Sequence, residues 1–155
     1  MTDNGIELTA RQDRRDHVHP GLTATLRRPA VHLGIALGVL NLLDLGRFEP
    51  AGFLTWLLPL LALCYLVLGV ARRRRTTREI LTRQSAGLLL FTVIALVALV
   101  VDATIGQYVV AAGYLAHAAW DYAHRDGRVV PRWFVDFCVP FDILIAASLV
   151  LAALR

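Results

Sequence analysis

The sequence predicts an all-α integral membrane protein, a bundle of about five transmembrane helices with a cytoplasmic amino terminus. Three observations carry this expectation. Hydrophobic residues make up 57% of the chain and the mean hydropathy is +0.57, above the apolar share of an ordinary soluble domain. They gather into five runs, about 30–45, 51–71, 85–101, 103–122 and 133–154, separated by turn residues and charge. All 16 basic residues are arginine, and all but Arg47 and Arg155 fall before span one, between spans two and three, or between spans four and five. Basic residues collect on the cytoplasmic side of a membrane, so that asymmetry orients the chain and places it in the cell inner (plasma) membrane as a multi-pass protein.

Residues 1–28 are a polar tail of mixed charge. No apolar stretch follows Met1, so a cleavable signal peptide is not expected. His17 and His19 make at most a weak metal pair in a solvated segment. Leu22 to Arg28 reads as a short interfacial helix that ends where Arg28 and Pro29 introduce the first span.

Span one is short for the roughly 20 residues that cross a hydrocarbon core of about 30 Å. Gly34 and Gly38, four apart, give it a face on which another helix can come close. His32 lies near its start, and Asn41 and Asp44 near its end; Asp44 falls within a turn of Asn41 and is expected to face the interior. Span two carries Pro59 in its middle, which leaves the Thr55 carbonyl without its helical donor. The loop from Arg72 to Arg83, RRRRTTREILTR, is the strongest topological signal. From Gly87 to Val101 span three offers only Thr92 as a polar side chain, and a tight reversal at Asp102 to Gly106 makes spans three and four antiparallel neighbours. Asp126-Gly127 turns the next basic loop and Pro131 opens span five.

The informative stretch is Gly113 to Asp142, GYLAHAAWDYAHRDGRVVPRWFVDFCVPFD. An ionisable side chain inside a membrane costs roughly 2.5–3.5 kcal/mol on insertion scales, which makes each one a functional candidate. At about 100° per residue His117, Asp121 and His124 form one polar stripe. Ala112, Ala116, Ala119 and Ala123 form a small-residue stripe beside it, expected to pack on a neighbouring helix. In span five Cys138 and Asp142 share a face. An antiparallel hairpin of spans four and five sets Asp142 at the depth of His117 and Asp136 near that of Asp121, with His32 of span one at a similar level. The expected site is a pocket between spans four, five and one.

Three readings of this group stay open. His117, Asp121 and His124 have spacing that can ligate a divalent metal. Asp121 or Asp142 can act as proton donor, with His117 and His124 relaying the proton, since a buried carboxyl can remain protonated at neutral pH. Or the group is interhelical glue, at about 0.6 kcal/mol per contact. Trp120, Phe137, Phe141 and Asp44 are the candidates for lining a substrate pocket. Cys64 and Cys138 lack a Cys-x-x-Cys spacing and read as buried packing residues. A second polar group, Asp44, Glu49, Asp102, Gln107 and Tyr108, lies toward the outer side and, Asp44 excepted, reads as wet surface.

The run Gly113-Tyr114-Leu115-Ala116-His117-Ala118-Ala119-Trp120-Asp121, then His124, Val130-Pro131-Arg132-Trp133, Cys138 and Asp142, resembles a pattern in small bacterial integral membrane proteins of uncharacterised function. Outside that stretch the likeness is one of hydropathy alone. A small bundle with embedded carboxylates and aromatic rings also resembles, more faintly, the membrane-bound terpene cyclases. That likeness implies protonation of an isoprenoid by an acidic residue, with the cation held among aromatic rings, and it assigns no residue here. The Asp-rich metal motif of soluble cyclases is absent from the sequence. The expected activity is that of an acid/base lyase, cyclase or isomerase on a lipid or isoprenoid; the alternative is a non-enzymatic membrane protein that binds a metal or proton, or a subunit of a membrane assembly. The bilayer, a lipophilic small molecule and a second copy of the chain are the expected partners. Nucleic acid is not, despite a pI near 9.7, because the arginines follow span ends.

Overall fold

The computed structural model describes residues 28–43, 49, 52–71 and 78–155. These form five α-helices in chain order: α1 Pro29–Leu43, α2 Phe53–Ala71, α3 Arg78–Val100, α4 Ala103–Ala123 and α5 Arg132–Ala153. The polar tail with His17 and His19, and Asp44 with its turn, lie outside the described residues. Three helices, α2, α3 and α5, are long and apolar enough to cross a membrane, and α1 is a shorter apolar helix of 15 residues. The chain is a multi-pass membrane protein on that ground.

Each helix begins where local chemistry places it. Pro29 opens α1 at the position where a missing N–H costs nothing. Asp102 caps α4, its side chain accepting from Thr104 N at 2.9 Å. The reversal between α3 and α4 therefore takes only Val101 and Asp102. Gly106, expected in that turn, lies inside α4 instead, where a Cβ would come within 2.7 Å of the Ala98 carbonyl oxygen. Span three starts at Arg78, seven residues before the predicted Ser85, because Arg78 to Gln84 continues the helix beyond its apolar run. Gly127, at φ 76°, makes the turn between α4 and α5, as the Asp-Gly pair predicts.

The packing order is α1 on α5, α5 on α4, α4 on α3 and α3 on α2. Gly34 and Gly38 act as the sequence suggests. A Cβ on Gly34 would overlap the Phe137 carbonyl, and one on Gly38 would sit 2.6 Å from Leu144 Cβ. Arg28 ties the same seam, donating to Asp136 Oδ2 at 2.5 Å. The alanine stripe of α4 does not behave as predicted: Ala112, Ala116, Ala119 and Ala123 are all exposed. Close approach to α4 comes through glycines instead, with Gly113 set against Leu58 of α2 and Ile94 of α3.

The main core joins Leu58, Phe91, Val110, Tyr114 and Ile145 from four helices. A smaller one at the arginine-rich end joins Tyr65 to Val129, Val130 and Val135, so part of the predicted basic loop folds inward under α2. Polar groups in the bundle are mostly answered. Gln107 donates to the Leu149 carbonyl at 2.7 Å and is buried, which sets it apart from Glu49, Asp102 and Tyr108, all exposed. Asn41 accepts from Ser148 Oγ at 2.8 Å, and Thr92 bonds back to Leu88 of its own helix.

Candidate metal centre

The α4–α5 hairpin brings His117 and Asp142 together as their depths predict, with His117 Nδ1 2.8 Å from Asp142 Oδ2. One turn along α4, Asp121 Oδ2 is 3.5 Å from the same nitrogen. All three side chains are 0% exposed. With the carboxylates ionised, His117 Nδ1–H is the donor and Asp142 the principal acceptor. That arrangement fixes the ring and leaves Nε2 to face outward from the pair.

Two contributors come from helices that the sequence reading passed over. Tyr65 of α2 donates its hydroxyl hydrogen to Asp121 Oδ1. Its ring stands edge-on to His117, with centroids 6.0 Å apart. The Phe91 ring of α3 also stands edge-on to His117, with centroids 4.9 Å apart. A tyrosine buried in lipid seeks a partner for its hydroxyl, and Tyr65 lies about two turns before the arginine run; that was the available signal. Gln84 of α3 was hidden because its segment reads as loop.

The other candidate residues take different places. His124 caps the end of α4, its Nδ1 2.8 Å from the Trp120 carbonyl and its Nε2 3.1 Å from Gln84 Nε2. It is separate from the group of His117, Asp121 and Asp142, so the trio that could hold a metal ion contains Asp142 where the sequence spacing had His124. The helix ends at that point, which releases His124 from the stripe. Asp136 is engaged by Arg28 and His32 is exposed, so neither joins the group. Span one does not wall the site: α1 packs on α5, and α2 and α3 supply Tyr65 and Phe91 instead. Trp120 is half-buried between Gly87, Phe91 and His124. Phe137 and Phe141 stack on each other at 5.5 Å and are half-buried at the margin of the main core. Cys138 is buried one turn before Asp142, Cys64 is half-buried, and both are free thiols.

The centre has open valence. Among the described residues His117 Nε2, Asp121 Oδ2 and Asp142 Oδ1 are buried without a hydrogen-bond partner, one atom from each residue. An unanswered polar atom in such surroundings costs about 1–3 kcal/mol, more when charged. The three residues each offer a ligand atom, and those atoms lie within 4.8 Å of one another. Bonds of about 2.0–2.2 Å from nitrogen or oxygen to a divalent ion place two ligands at most about 4.4 Å apart. The 4.8 Å spread is wider than that limit by about 0.4 Å, so the three side chains would have to draw together to hold such an ion.

No family model, curated protein or solved structure matches the chain.

Proposed function

We propose that this is a multi-pass membrane protein that holds a divalent metal ion inside its helical bundle, with His117, Asp121 and Asp142 as ligands. The observation that carries the reading is the open polar atom on each of three adjacent, fully buried residues. Two carboxylates in a low-dielectric interior need a compensating positive charge, and one histidine does not balance both. A divalent ion does so in one step. Imidazole and carboxylate suit zinc, manganese or ferrous iron. Five spans, a cytoplasmic amino terminus and the plasma membrane complete the proposal, supported by the arginine distribution.

X-ray absorption at the metal edge of zinc-loaded protein tests the ligand set. A first shell of nitrogen and oxygen at about 2.0–2.2 Å is expected. A sulfur shell at about 2.3 Å would place Cys138 or Cys64 in the site and contradict the assignment.

A second reading is favoured by the aromatic surroundings. Phe91 and Tyr65 flank His117, and Trp120 meets Phe91 at 6.2 Å with rings perpendicular. Aromatic faces stabilise positive charge, as an acid/base enzyme acting on an isoprenoid requires. There Asp121 or Asp142 gives the proton, and turnover persists in metal-free protein but vanishes in Asp121→Asn.

A further inference from the structure

The buried centre lies behind a way in. At the arginine-rich end, the start of α3, the end of α4 and the loop that follows enclose a pocket of about 650 Å³, bordered by Glu79, Gln84, Ala123, His124, Asp126 and Val129. Among the described residues its carboxylates pair with exposed arginines, Glu79 with Arg83 at 2.7 Å and Asp126 with Arg128 at 3.3 Å. Such exposed pairs hold weakly and exchange partners readily.

At the base of the pocket, Gln84 and His124 make an unusual contact. The Trp120 carbonyl can only accept, so His124 Nδ1 carries a hydrogen. In the neutral ring Nε2 is then a lone-pair acceptor, and the Gln84 amide N–H donates to it across 3.1 Å. Gln84 is 2% exposed, and its Oε1 has no hydrogen-bond partner among the described residues. Half a turn of the amide exchanges Oε1 and Nε2. Two lone-pair donors then face one another at close to the same separation, and cis ligands on an ion with bonds of about 2.1 Å stand about 3.0 Å apart.

Tyr65 neighbours both this pair and the centre. The Tyr65 ring centroid lies 5.6 Å from that of His124 and 6.0 Å from that of His117, and its hydroxyl is bound to Asp121. We infer that the pocket is the port through which a divalent cation reaches the centre, with Gln84 and His124 as an intermediate holding site and the Tyr65 ring as the gate. The inference rests on the metal-binding reading above.

Zinc is the probe. Detergent-solubilised full-length protein is loaded with Zn²⁺, its zinc content is measured, and EDTA-driven release is timed for the parent, Gln84→Leu and Ala123→Trp. Leucine removes both amide groups at nearly constant volume. Tryptophan at Ala123 fills the pocket from an exposed position outside the holding site and the centre, and it decides alone if Gln84→Leu does not fold. Release about ten-fold slower from a zinc-loaded variant is expected, as for an added barrier on the exit path. A loaded parent whose variants release zinc at the parent rate overturns the port and leaves the centre standing. A parent that takes up no zinc overturns the centre, and the port with it.

Discussion

His117→Leu is expected to cost about 3–5 kcal/mol of stability and to abolish metal binding. The imidazole is the single group that Asp121 and Asp142 share, at 3.5 and 2.8 Å. Without it two carboxylates remain in a site that is 0% exposed, with only the Tyr65 hydroxyl as a donor to Asp121. Removing one partner from a buried charged group is far more damaging than replacing the whole group by neutral side chains of similar volume. The triple variant His117→Leu, Asp121→Asn, Asp142→Asn should therefore regain most of the lost stability while binding no metal. Thermal unfolding in detergent, parent against single against triple, measures both effects. A single variant as stable as the parent would mean that the histidine compensates nothing.

The second large effect concerns the ion itself. A ligand bound only by the folded state adds about 2.7 kcal/mol when its free concentration is a hundred times Kd. Stripping metal from the parent should lower its unfolding midpoint, and zinc or manganese should restore it. Asp121→Asn, Asp142→Asn should show no response to either treatment, since amide oxygens carry no charge to set against the ion. A midpoint that ignores metal in the parent would leave the three open polar atoms to protons.

The main axes of this arrangement were legible in the sequence for physical reasons. A helix repeats every 3.6 residues, so Gly34 and Gly38 had to share a face, as did Cys138 and Asp142. A short loop between two spans sets their relative depth, which put Asp142 beside His117. What failed depended on knowing which faces meet. Helical spacing gave α4 a polar stripe and an alanine stripe but could not say which side α2, α3 and α5 would cover. The alanines face outward, and Gly106 and Gly113 bear the close contacts. His124 left the stripe because α4 ends there, and helix ends are the least certain feature of any pattern. Tyr65 and Gln84 were missed because each is a lone polar group whose role exists only through a partner 56 or 40 residues away. Phe137 and Phe141 looked like pocket lining from their nearness to Asp142 in sequence, yet they stack on each other at the margin of the core.

The most direct test is the metal content of purified, detergent-solubilised protein after exposure to zinc, manganese and ferrous salts, measured by elemental mass spectrometry beside Asp121→Asn, Asp142→Asn. About one divalent ion per chain in the parent and none in the variant is the result expected from three ligands around one site. A correctly folded parent that carries no metal under any of these conditions would contradict it.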